Sequence, residues 1–184
     1  MKFLTAFIER IASYRLIILL VMLFGLFAGY ILPQLEQDIN EKAGKTVGII
    51  DLLSGLNPSK VYEMIEDYGH EGRKTYLFAE VTADIVYPII YTLLFSVILF
   101  VFYEKLGVKL PIKRVFLLPF LIMLFDYTEN LFIITMLVSY PTKIPLLAYL
   151  CSVATAFKWA TLYISFLLIV YGGIMLAYKR LIAR

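Results

Sequence analysis

Thiol and imidazole chemistry are almost absent from this chain, which holds one cysteine, Cys151, and one histidine, His70. A single cysteine forms no intrachain disulfide and offers no thiol pair to a metal. A single histidine, set between Gly69 and Glu71 in a stretch read as exposed, builds no multi-histidine metal site. Charge is scarce as well: charged residues are 17% of the 184 positions and the net charge is +3. That balance, with the bases dispersed, excludes the basic patch a nucleic-acid partner needs. No G-x-S-x-G, H-E-x-x-H or phosphate-binding glycine-rich loop occurs, and no repeat of fixed period is visible. No cofactor is expected.

Apolar residues are present in excess, at 61% of the chain, against about 45–50% in soluble domains. They gather into runs long enough to cross about 30 Å of hydrocarbon. Four spans are expected, at about 16–32, 83–103, 115–139 and 147–178. The first, Leu16 to Leu32, follows a long basic lead and precedes no small-residue cleavage site, so it reads as a retained anchor rather than a signal peptide. The fold class expected is all-α: one integral membrane domain over 1–184, a four-transmembrane-helix bundle, with a short helical extracytoplasmic cap between helices 1 and 2.

Basic residues flank the spans asymmetrically. Lys2, Arg10 and Arg15 precede the first; Lys105, Lys109, Lys113 and Arg114 fill the second connection; Lys179, Arg180 and Arg184 follow the fourth. The positive-inside rule then puts both termini in the cytoplasm of a cell-membrane protein, with residues 33–82 outside. Within that outer segment, Asn57-Pro58 reads as a helix start. Val61, Met64, Ile65 and Tyr68 follow at i, i+3, i+4 and i+7, an amphipathic helix closed by Gly69. A shorter amphipathic stretch covers Val47 to Leu53. In the first span, Gly25 and Gly29 form a G-x-x-x-G, read as a close approach to a neighbouring helix of the same chain, with a homo-oligomer contact as the alternative.

Polar residues inside lipid-length runs carry the functional signal, because an ionisable group there is expensive. Arg73, Tyr76, Glu80, Asp84, Tyr87 and Tyr91 recur at spacings of 3 and 4, which places them on one helix face. Pro88 lies beside that stripe and removes a backbone hydrogen bond. Asp126, Glu129 and Asn130 share a face of the third span. Lys158 joins Thr155, Leu162 and Ser165 on the fourth. Counting about 1.5 Å of rise per residue from the basic anchors, Asp126 lies roughly 18 Å from Arg114, and Asp84 and Lys158 about 31 Å from Lys105 and Lys179. All therefore fall between the midplane and the outer edge, as a pocket opening outward would require. Acids outnumber bases there, which suits acid–base chemistry, proton exchange or a cationic ligand. The structural alternative is a buried network, for instance Lys158 paired with Asp126 or Glu129, that fixes helix register. A Mg²⁺ or Ca²⁺ site from Asp84, Asp126 and Glu129 is opposed by Lys158, so no metal is expected.

The pattern Gly69-His-Glu-Gly72-Arg73-Lys-Thr-Tyr76, Asp84-Ile-Val-Tyr87-Pro88-Ile-Ile-Tyr91 and Asp126-Tyr-Thr-Glu129-Asn130 resembles that of a widespread group of small four-span prokaryotic membrane proteins of unknown function. The likeness covers about half the chain. It implies the fold and the polar positions, and supplies no activity. The expected function is recognition of a small or lipidic ligand in an outward-facing acidic pocket lined by Asp84, Asp126, Glu129, Asn130 and Lys158, with Arg73 at its mouth. If the chain is an enzyme acting on lipid, Asp126 or Glu129 is the acid–base group, and Arg73 or Lys158 holds an anionic headgroup. A proton- or cation-coupled transporter and a structural or assembly subunit are the further alternatives.

Overall fold

A computed structural model describes residues 2–52, 58–108 and 112–182, and every element in it is helical. Among the described residues, four helical stretches are long and apolar enough to cross a membrane: Tyr14–Ala43, Gly69–Leu106, Arg114–Ser139 and Pro145–Ile182. The elements are α1 (Lys2–Ile11), α2 (Tyr14–Leu26), a π-helical turn (Phe27–Ile31), α3 (Leu32–Ala43), a 3-10 turn (Ile50–Leu52), α4 (Pro58–Asp67), α5 (Gly69–Glu80), α6 (Ala83–Leu106), a second 3-10 stretch (Ile112–Leu117), α7 (Pro119–Ser139) and α8 (Pro145–Ile182).

The first membrane helix does not stop near residue 32, where the hydrophobic run ends; it continues through polar α3 to Ala43. Pro33 explains the π turn between its halves. Proline donates no N–H, and its ring crowds the carbonyl four residues back. The ladder adapts by one longer bond, from the Leu32 N–H to Phe27 O. Helix α3 ends where Gly44 takes φ +70°, a left-handed conformation open to glycine at no steric penalty.

Helices α6, α7 and α8 form the centre of the bundle, with α7 on α8 the largest packing. On α7 the buried positions Ile122, Asp126, Glu129, Asn130, Ile133, Met136 and Leu137 recur at heptad-like spacing. Helix α8 answers with a face of small residues, Ala148, Cys151, Ser152, Ala154 and Thr155, continuing to Gly172. Gly172 permits a close approach, because a Cβ there would meet the Phe102 and Tyr103 rings at 3.2 Å. Helix α2 is peripheral. It buries only Leu20, against Ile90 and Leu94 of α6, and leaves Ile18, Leu19, Val21 and Met22 exposed, as a lipid-facing helix must.

Gly25 and Gly29 do not serve the intrachain approach expected of them. Both are exposed, and a Cβ on either would meet nothing within 4 Å. A second close glycine contact, besides Gly172, lies in the segment 33–82: Gly72 of α5 lets α3 approach, with Ile39 O at 3.5 Å and Ala43 N at 3.6 Å from a Cβ placed there.

At one end the bundle carries a small second core. Val61, Met64, Ile65 and Tyr68 pack with Ile39, Tyr76, Ile133 and Ala148. Helix α4 has the amphipathic face expected and closes at Gly69, which takes φ +62°. Asn57, the expected N-cap, lies outside the described residues. The stretch after Gly44 is not helical until its 3-10 turn; Asn40 Oδ1 holds it by accepting from the Val47 and Gly48 N–H groups at 2.8 and 3.2 Å. Tyr68 donates to Gly48 O at 3.0 Å. Burial first, then the Asp51 carboxylate, pushes its phenol above the ordinary range, so it remains a donor.

Candidate functional site

The stripe from Arg73 to Tyr91 does not survive as one helix face, because the helix breaks at Val81–Thr82. Thr82 leaves helical geometry at φ −125°, ψ −81°, and its hydroxyl donates to Phe78 O at 2.5 Å, occupying a carbonyl of the last turn of α5. Residues before the break belong to the capped end of the bundle. Arg73 donates to Ile65 O at 3.1 Å and stands 4.0 Å above the Tyr140 ring, partners outside the acidic group. Tyr76 is buried with its hydroxyl between two groups of the 3-10 turn: it accepts from the Ile50 N–H at 3.0 Å and donates to Asp51 Oδ1 at 2.9 Å.

Below the break the acids converge. Lys158 of α8 bonds Glu129 Oε2 and lies 3.4 Å from Asp126 Oδ1, both on α7. The Thr155 hydroxyl bonds Glu129 Oε1, and Tyr91 donates to Asp126 Oδ2 at 2.6 Å. Glu129 is fully buried, and Lys158, Asp126 and Tyr91 nearly so. Side chains from α6, α7 and α8 thus form one hydrogen-bonded network in which Lys158 is committed to two carboxylates. A buried charge is tolerated when paired and bonded in this way.

Asn130 has a different task from lining a pocket. Pro88 has no N–H, so the carbonyl of Asp84, four residues earlier, loses its helical donor. Asn130 Nδ2 supplies one at 3.1 Å, and Tyr127 donates to the adjoining Ile85 O at 2.7 Å. Without water in a bilayer core, such a carbonyl must be satisfied from a neighbouring helix. The Asp84 side chain itself is half-buried.

Glu80 is the exception to this satisfaction. It is 1% exposed, and its Oε2 has no hydrogen-bond partner among the described residues. Asp51, Asp84, Glu129 and Asp126 all act on it electrostatically. Asp51 is the member that the sequence reading missed. Its signal was an acid inside Ile49-Ile-Asp-Leu-Leu53, but its place depends on Tyr76, twenty-five residues away in sequence. Asp51, Glu80, Asp84, Asp126 and Glu129 thus act electrostatically on one another or on Lys158, an excess of carboxyl over ammonium. Among the described residues, no group of three or more His, Cys, Asp or Glu side chains is arranged to hold a metal ion.

Tyr87 stands on the α2 side of the same level. Its ring stacks on Phe24 and Phe27, at centroid distances of 5.6 and 5.9 Å, and meets Tyr91 edge-on at 5.4 Å. Toward the other end of the bundle, Ser96 is fully buried and its Oγ is also unpartnered among the described residues. No family model, curated protein or solved structure matches the chain.

Proposed function

We propose that this is a multi-pass cell-membrane protein that binds an ammonium-bearing small or lipidic ligand in an acidic intramembrane site. Glu80 carries the reading: a buried carboxyl group with an unpartnered oxygen, near acids whose one lysine, Lys158, is already shared by Asp126 and Glu129. An anionic headgroup fits less well, since Lys158 is committed to those acids and Arg73 to Ile65 O and the Tyr140 ring. Leaving a buried polar group unmatched costs about 1–3 kcal/mol, more for a charged one, and a ligand donor would recover it. Both termini are cytoplasmic in this reading, as the bases Lys105, Arg114, Lys179 and Arg180 indicate, and the segment 33–82 is outside.

The test is calorimetric titration of detergent-solubilised protein with octylammonium and, separately, octyl phosphate. Saturable octylammonium binding, weakened at least tenfold in Glu80→Gln, is the expected result. Equal or tighter octyl phosphate binding, or an unchanged affinity in the variant, would refute the assignment.

Cation-coupled transport has one observation in its favour. Tyr103 donates to Leu168 O at 3.3 Å and Gly172 abuts Phe102, a parallel register that sets Ser96 level with Ser165 of α8. Both serines are fully buried beneath the Lys158 network, and a buried unmet hydroxyl is a common seat for water. Transport requires an ammonium or proton flux in proteoliposomes that Ser96→Val reduces. A flux no greater than that of empty vesicles counts against it.

A further inference from the structure

The aromatic seam between α2 and α6 touches the acidic site from the side, not from the capped end. Five rings follow one another there. Phe24 and Phe27 stack on Tyr87, Tyr87 meets Tyr91 edge-on, and Phe95 lies within 6.2 Å of Tyr91 and 6.1 Å of Phe24. Tyr91 is the residue whose hydroxyl holds Asp126, and Asp84 precedes Tyr87 by three residues on the same helix. The ring wall and the two acids are therefore contiguous. Rings of this kind attract a cation over their faces, most strongly when water is excluded, and aromatic groups beside carboxylates are the usual chemistry for recognising alkylammonium groups.

Two features set this flank apart. Helix α2 is held to the bundle along a narrow line, burying Leu20 alone. That contact continues through half-buried Leu23, Phe24 and Phe27 into the π turn, Phe27–Ile31, so Phe27 stands where the ladder is already irregular. Irregular turns inside membrane helices recur at functional sites. The buried Glu80, 1% exposed, has one side-chain oxygen without a hydrogen-bond partner among the described residues.

We propose that the ammonium comes from the bilayer: the headgroup of a zwitterionic aminophospholipid enters laterally between α2 and α6, passes along Phe24, Phe27 and Tyr87, and binds at Asp84 and Glu80. This rests on the acidic site described above and specifies its ligand as lipid-borne. The occupant is chosen by charge. Acids outnumber bases here and Lys158 is engaged by Asp126 and Glu129, which favours an ethanolamine headgroup over a glycerol one.

The experiment uses the full chain in nanodiscs of phosphatidylethanolamine, phosphatidylcholine and phosphatidylglycerol in equal parts, released into native mass spectrometry. One phosphatidylethanolamine retained per chain is expected, at least tenfold over phosphatidylglycerol. Asp84→Asn should lower that retention about tenfold. Phe27→Leu, which removes the ring and keeps apolar bulk, should lower it about fivefold, with both variants eluting as the wild type does in size exclusion. Preferential phosphatidylglycerol retention, no retained lipid, or equal retention in wild type and both variants would overturn the proposal. Octylammonium titration separates the two failures. Binding that persists while lipid retention fails removes only the lateral route, whereas loss of both removes the acidic site as well.

Discussion

Replacing Lys158 with methionine removes the ammonium shared by Asp126 and Glu129 while keeping the length and apolar stem of the side chain. Glu129 is fully buried and Asp126 nearly so, and neither gains a new donor. Their remaining bonds are Thr155 to Glu129 and Tyr91 to Asp126. Breaking a buried pair from one side typically costs about 3–5 kcal/mol, because an uncompensated charge stays behind. Two carboxylates are orphaned here, so the upper part of that range, about 4–5 kcal/mol, is expected. The assay is reversible unfolding in mixed micelles as the fraction of sodium dodecyl sulfate is raised, followed by circular dichroism. The control is Lys158→Met combined with Asp126→Asn and Glu129→Gln, which removes every charge together. Replacing a whole buried ionic group by neutral side chains is often close to neutral, so most of the lost stability should return, to within about 1–2 kcal/mol. A loss below about 1 kcal/mol for Lys158→Met alone, or a triple variant no better than the single one, would show that these groups are not the coupled buried network described.

Four other outcomes are expected. Asn130→Leu should cost about 1 kcal/mol in wild type but markedly less in a Pro88→Ala background, where residue 88 regains an N–H for Asp84 O; additive effects in the double-mutant cycle would dissociate Asn130 from that carbonyl. Gly172→Ala should destabilise by about 1–3 kcal/mol, since the Phe102 and Tyr103 rings must give way, whereas Gly173→Ala, with its nearest contact at 3.5 Å, should be tolerated; equal unfolding midpoints for the two would contradict the packing. Cys151 is 1% exposed and should resist maleimide until the protein is unfolded. Lys60→Cys, on the exposed side of α4, should then label from outside intact cells only, and labelling from the cytoplasm alone would invert the proposed topology.

The parts of this molecule legible in its sequence are those set by local rules. Apolar runs of membrane length require helices whatever their neighbours, and the i, i+3, i+4 spacing of Asp126, Glu129 and Asn130 puts them on one face of any helix. Lys158 was recognisable as a partner because few buried positions offer an ammonium to satisfy a carboxylate. What escaped depends on tertiary placement. A spacing rule cannot register the break at Val81–Thr82, so Arg73 and Tyr76 seemed continuous with Asp84. Asp51 lies in a short non-helical connection, and only the Tyr76 hydroxyl shows where it is held. Pro88 announces that Asp84 O is freed, but which side chain fills the gap is a matter of how α7 sits on α6. A pair of glycines four apart says that two backbones could meet, not that they do; at Gly25 and Gly29 nothing among the described residues comes within 4 Å of a Cβ placed there.

The most direct measurement is infrared difference spectroscopy of the purified protein as octylammonium is added. If Glu80 is the group that receives the ammonium, a carboxyl band shifts on addition in the wild type and in a Glu9→Gln control, and is missing in Glu80→Gln. A wild-type spectrum without that band, or a band that persists in Glu80→Gln, would contradict the assignment of an ammonium site to Glu80 and the acids around it.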